Sequence, residues 1–163
     1  MIKGLLRTTL LMVAIGFAGA AWSYDSAMAE SYAQLFAPVE GAKAGKALHL
    51  LNPEEFVDKV NAGETLVALD VRTPAEMRVF SATLAGSLRI PINELFRKAN
   101  LDRIPTERTV VVLCQSGTRA TAAGTALRHI GFENVYILKG GFKALSSHMG
   151  PKEANAPRQA RAR

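Results

Sequence analysis

Strand-like and helix-like hydrophobic patterns alternate along the middle of the chain. Leu66 to Leu69 is a short apolar run ending at Asp70, and Ser87 to Ile90 reads as a strand stopped by Pro91. Thr109 to Leu113 is the most strand-like run. It shows no polar alternation, which predicts a central strand buried on both faces. Asn134 to Leu138 is another strand. The stretches between them carry helix grammar. Asn52-Pro53-Glu54-Glu55 supplies an N-cap, a proline at the first helical position and a glutamate that returns a bond to the cap. Thr73-Pro74-Ala75-Glu76 repeats that grammar. Asn93 to Ala99 predicts a short helix. Ala120, Ala123, Leu127 and Ile130 recur at helical spacing, with Gly131 as the C′ stop. Gly140-Gly141 opens a last short helix reaching about Leu145.

This order predicts an α/β fold: a mainly parallel central sheet of about five strands, flanked by helices on both faces. The compact domain is expected over 48–148. A loosely packed lead-in is expected over 30–47, with one helical turn around Tyr32 to Phe36. A basic disordered tail is expected over 149–163.

Composition narrows the class. Of 163 residues, 48% are apolar, enough for a core and against global disorder. The formal charge of +6 is concentrated at the ends. Lys152, Arg158, Arg161 and Arg163 face only Glu153 in the tail, and the middle is close to balanced. No basic stripe interleaves with aromatics, which argues against a nucleic-acid surface.

The first 29 residues read as a cleavable signal peptide. Lys3 and Arg7 form a positive start, Leu10 to Trp22 an apolar stretch, and Ala27-Met28-Ala29 an A-x-A cleavage site. The apolar stretch is shorter than the ~20 residues a bilayer span needs. The expectation is periplasmic export with cleavage after Ala29 and no membrane span afterwards. The alternative is an uncleaved N-terminal membrane anchor.

Cys114 is the only cysteine, so no intramolecular disulfide and no C-x-x-C dithiol exist. No metal-ligand spacing is present, and no cofactor is expected. Cys114 heads the segment Cys114-Gln115-Ser116-Gly117-Thr118-Arg119, placed between the central strand and a helix. Ligands in open α/β sheets sit beyond the carboxyl ends of the strands. Small residues let the loop curl, and its backbone N–H groups at a helix N-terminus attract negative charge. Arg119 adds a permanent cation. Helix N-termini and nearby cations favour cysteine thiolates. One loop thus activates a nucleophile and holds an anion, with Gln115, Ser116, Gly117, Thr118 and Arg119 as substrate-binding candidates. His49, His129 and His148 are scattered and provide no motif for a Cys-His hydrolase.

At these residues the chain resembles the single-domain rhodanese family. Asp70-Val71-Arg72-Thr73-Pro74-Ala75-Glu76 resembles its D-V-R-x-x-x-E segment, and Gly86 to Pro91 its G-A/S-x-x-I-P segment. Val112 to Arg119 resembles its active-site strand and loop, and Gly131-Phe132 through Gly140-Gly141 its closing strand and glycine pair. Two segments depart from the family: Ser81-Ala82-Thr83-Leu84 stands in place of a G-H-I, and Leu145 in place of a tryptophan.

The resemblance implies that Cys114 takes a sulfane sulfur from a small anionic donor such as thiosulfate. The resulting persulfide passes it to a thiophilic acceptor, cyanide or a thiol, or to a protein. Asp70 and Arg72 are implied to hold neighbouring structure. The alternatives are a persulfide carrier and a non-enzymatic interaction module for an exported partner. Phosphatases and arsenate reductases of related design carry arginine at Cys+6, where this chain has Ala120.

Overall fold

The computed structural model describes residues 24–155, and in it the alternating pattern resolves into one five-stranded parallel sheet. Ahead of the sheet lie α1 (Ser26–Phe36), a 3-10 turn (Gly41–Lys43) and α2 (Ala44–Ala47). Then follow β1 (Leu50–Leu51), α3 (Pro53–Asn61), β2 (Val67–Asp70), α4 (Pro74–Val79) and β3 (Leu88–Arg89). The second half holds α5 (Lys98–Leu101), β4 (Val110–Leu113), α6 (Thr118–His129), β5 (Val135–Leu138), α7 (Gly141–His148) and α8 (Pro151–Ala154).

The strand order is β1-β5-β4-β2-β3, with every pairing parallel. β4 lies at the centre, and its four residues are wholly buried. They alternate between two apolar clusters, as a strand's side chains must. Val110 and Val112 join Val67, Leu69, Ala123 and Leu127 on the α6 face. Val111 and Leu113 join Phe56, Val57, Leu138 and Phe142 on the α3 and α7 face. Gly124 lets α6 settle closely on the sheet: a β-carbon there would stand 2.5 Å from Ile137 Cγ1.

Both proline-led helix starts are present. In α3 the Asn52 N–H donates to Glu55 Oε2, and in α4 the Thr73 N–H donates to Glu76 Oε2. At the end of α6 the Phe132 N–H reaches the Leu127 carbonyl and the Gly131 N–H reaches that of Arg128. This is the Schellman closure expected of a glycine stop.

Several boundaries differ from expectation. Residues 93–97 form turns rather than a helix, and α5 begins only at Lys98. Glu94, Leu95 and Arg97 each bond the carbonyl three residues back, which turns Leu95 fully into the core. Where one turn was expected around Tyr32 to Phe36, the eleven-residue α1 runs from Ser26, ahead of the lead-in, to Phe36 within it. Asp25 caps it by accepting from the Met28 N–H, and alanine, methionine, glutamate and glutamine are good helix formers. The start of the basic tail is ordered as α8, capped by Glu153 on the Gly150 N–H. β1, two residues at the sheet edge, adds a strand that the pattern did not mark. The apolar stretch Leu10 to Trp22 and the last eight residues lie outside the described part. No helix among the described residues is long and apolar enough to cross a membrane.

Candidate active site

Cys114 follows β4 directly, at the carboxyl end of the central strand. The chain then turns through Gln115, Ser116 and Gly117 into α6. Gly117 is the N-cap, with φ of +92°, in the left-handed region that disfavours a side chain. This turn aims two backbone donors at the sulfur. The Gly117 N–H lies 3.2 Å from Cys114 Sγ, and the Ala120 N–H 3.4 Å. Both favour negative charge on sulfur, and the amino end of a twelve-residue helix adds to them. α6 starts at Thr118, two residues before the first apolar position that marked it in the sequence.

The loop is fastened to the β5–α7 turn. The Phe142 N–H donates to the Cys114 carbonyl at 2.8 Å, and the Lys143 N–H to the Gln115 carbonyl at 3.0 Å. That approach needs Gly141, because a β-carbon there would run into the Cys114 carbonyl oxygen.

Cys114 is buried and lies at the floor of the loop. Gln115, Ser116 and Thr118 are exposed around it, and none of them carries charge. Arg119 is half-buried and forks onto Glu76: Nη1 donates to Oε2 and Nη2 to Oε1, both at 2.8 Å. Thr73 donates to the same carboxylate through its N–H and its hydroxyl. Arg119, and then the Thr73 N–H, hold the Glu76 carboxyl well below the usual carboxylate range. In turn Glu76, and more weakly Cys114, raise Arg119 further above its ordinary value.

Glu76 is the site residue that sequence reading passed over. Its place three residues after Thr73 explained it fully as a capping glutamate. It does cap α4, and it also ties that helix to the active-site loop. Its folded-state proton affinity is lowered, so its stabilisation is complete above its ordinary value of 4.5 and is lost as pH falls below it. Both partners are about one-third exposed, which limits the effect through solvent screening. Glu76→Gln is therefore expected to cost about 1 kcal/mol at pH 7. Urea titrations of the two proteins should converge below pH 4.5; a gap that stays constant down to pH 3 would contradict the assignment.

Asp70 and Arg72 form a buried pair beside the loop. Asp70 Oδ1 accepts from the Arg72 N–H and Nε–H, each at 3.0 Å, and Oδ2 accepts from Nη2 at 2.7 Å. Ser81 Oγ donates to Oδ2, and Arg72 Nη2 also donates to the Phe80 carbonyl. The guanidinium carbon lies over both the Phe80 and Phe142 rings, 4.3 and 4.1 Å from their centroids, and the two rings meet each other edge to face. Phe142 is the residue whose N–H holds the Cys114 carbonyl, so the pair supports the loop from behind. Phe80 and Phe142 gave no signal in the sequence, because their meeting depends on the parallel crossover. The histidines lie elsewhere: His49 on the Val135 carbonyl and His129 against Tyr32 of α1. Among the described residues no cluster of potential metal ligands exists.

The rhodanese-like domain family matches residues 52–148. The chain belongs to this family. Its rhodanese-like domain is similar to the "Probable adenylyltransferase/sulfurtransferase MoeZ" of Mycobacterium tuberculosis, at 30% identity over 112 residues. That match covers 69% of this chain and 28% of MoeZ, so the chain spans little more than a quarter of that protein. A protein named sulfurtransferase from Allochromatium vinosum is 29% identical over 98 residues, 60% of this chain and 88% of its own length. Among solved structures, the rhodanese-related protein of Thermoplasma volcanium shares the fold with a TM-score of 0.53 and 27% identity. It covers 63% of this chain and 95% of its own.

Proposed function

We propose that the protein is a sulfurtransferase that moves a sulfane sulfur from thiosulfate or a similar donor, through a Cys114 persulfide, to a thiophilic acceptor. The observation that carries this reading is the pair of backbone N–H groups, Gly117 and Ala120, directed at Cys114 Sγ. As hydrogen-bond donors they favour negative charge on the sulfur, so the reading needs no side-chain base to take a proton from the nucleophile. The sulfur's depth favours a reagent that offers one slim terminal atom over a bulky ester.

In the first half-reaction the thiolate attacks the outer sulfur of thiosulfate. The Sγ–S bond forms, the S–S bond of thiosulfate breaks, and its electron pair leaves with sulfite. In the second, a thiophile takes the outer sulfur and the electron pair returns to Sγ. This is ping-pong covalent catalysis. The sulfurtransferase names of MoeZ and the Allochromatium protein support the same chemistry.

Export is part of the proposal. Lys3, Arg7, the apolar stretch to Trp22 and Ala27-Met28-Ala29 support cleavage after Ala29 and a periplasmic location. Ala27 to Ala29 lie exposed in α1.

Intact-mass spectrometry of protein recovered from an exporting host tests both parts. The expected result is a chain lacking residues 1–29 that gains one sulfur on thiosulfate treatment and loses it to cyanide, releasing thiocyanate. A chain that gains no sulfur from thiosulfate or polysulfide overturns the sulfurtransferase reading.

A further inference from the structure

At the β1 edge of the sheet the chain builds a cleft of about 490 Å³ between α2, β1, α3 and the end of β5. Ligand pockets run from about 300 to 1,000 Å³. No residue of the loop from Cys114 to Arg119 lines this cleft.

Its charge is one-sided. Lys46 of α2, Lys59 of α3 and Lys139 after β5 all line it. Lys59 reaches Glu64 Oε2 at 3.0 Å. Lys46 and Lys139 are exposed, and neither makes an ion pair among the described residues. The carboxylate in the lining, Glu55, faces the amino end of α3, where it accepts from the Asn52 N–H. Two ammonium groups are thus left without a counter-charge on one concave surface.

The remainder is largely apolar: Leu50 and Leu51 of β1, and Tyr136 of β5. Tyr136 is half-buried, and His49 stacks on its ring at 4.7 Å between centroids. The His49 ring is fixed in turn, with Nδ1 3.0 Å from the Val135 carbonyl. His49 is also the one non-glycine among the described residues with a positive φ, +55°. Such conformations cost free energy and cluster at ligand sites. Here the strained residue turns the chain from α2 into β1, which brings Lys46 to the cleft that Lys139 also lines.

We propose that this cleft binds a phosphate monoester with a flat aromatic body. Two uncompensated ammonium groups match the double charge of such a phosphate, and lysine binds phosphate as a point charge. The phosphate meets Lys46 and Lys139, and the aromatic body packs on Tyr136, Leu50 and Leu51. The occupant is held, not transformed, and it has no need to reach the Cys114 sulfur.

Isothermal titration of the protein with phenyl phosphate and with AMP should show one saturable site for each. Inorganic phosphate and adenosine each offer half of the recognised chemistry and should bind about tenfold more weakly. Lys46→Gln and Lys139→Gln should each raise Kd about threefold to fivefold. Lys98→Gln, which removes an exposed lysine of α5, should leave Kd unchanged. Unaltered melting temperatures will show that the variants fold. Either ester should also protect Lys46 and Lys139, but not Lys98, from acetylation by acetic anhydride, read by peptide mass spectrometry. The proposal is overturned if neither ester binds saturably, if inorganic phosphate binds as tightly as both, or if all three lysine variants bind alike.

Discussion

Cys114→Ser will lower thiocyanate formation from thiosulfate and cyanide by about 10³-fold or more, to the background of the uncatalysed reaction. The substitution replaces one atom of the nucleophile with a smaller one. A serine hydroxyl is not ionised near neutral pH, and oxygen forms no stable counterpart of the persulfide. The rest of the site should survive. The Gly117 and Ala120 N–H groups still find an acceptor in the hydroxyl, and the Cys114 carbonyl keeps its bond from Phe142. Stability by urea should therefore change by no more than about 1 kcal/mol. The combination is diagnostic: a folded protein with no mass gain from thiosulfate and no turnover. Turnover retained by the serine variant would place the chemistry at another group.

The same experiment separates turnover from storage. A wild-type chain that loads sulfur and releases it slowly to every small thiophile would act as a carrier. Phosphatase chemistry has a different requirement, a cradle large enough for a tetrahedral group in attack position. Here α6 begins four residues after Cys114, and the Ala120 N–H already points back at the sulfur. The chromogenic ester p-nitrophenyl phosphate should remain unhydrolysed.

Much of this was legible in the sequence, and for identifiable reasons. Val110 to Leu113 carries no polar residue, so its burial on both faces follows from composition alone. Asn52, Pro53, Thr73 and Pro74 announce helices through local hydrogen bonding and a fixed φ, which need no tertiary information. The loop was legible because a lone cysteine, small residues and a cation follow one another in the chain. What was illegible is non-local. The fork from Arg119 to Glu76 joins residues 43 apart and exists only because β2 and β4 are neighbours in the sheet. Arg119 therefore had the look of a free cation. The packing of Phe80 and Phe142 against each other and against Arg72 joins the turn after α4 to the start of α7. The helix read at 93–99 failed for a related reason: burying Leu95 outweighs local helical preference there.

Arg72→Met will be the most destabilising single change near the site, by about 3–5 kcal/mol. The pair is almost wholly buried, with side-chain exposures of 0% and 1%. Removing the guanidinium leaves the Asp70 carboxylate in an apolar enclosure with only the Ser81 hydroxyl and the Arg72 backbone N–H as donors. Arg72 itself is imperfectly satisfied, since Nη1 has no hydrogen-bond partner. The two aromatic faces offset part of that cost through cation–π attraction, worth about 2 kcal/mol when desolvated. Lysine cannot replace this arrangement, because it lacks the planar fork that meets both carboxylate oxygens and packs against aromatic rings. The cost of Arg72→Met is mainly that of an unpaired buried charge, so adding Asp70→Leu should restore much of the stability. The double variant should unfold at a higher urea concentration than Arg72→Met alone. Its persulfide loading should still be slower than wild type, because Phe142, and through it the Cys114 carbonyl, has lost the cation that fixed its ring. If Arg72→Met costs under about 1 kcal/mol, the pair is not what supports the loop.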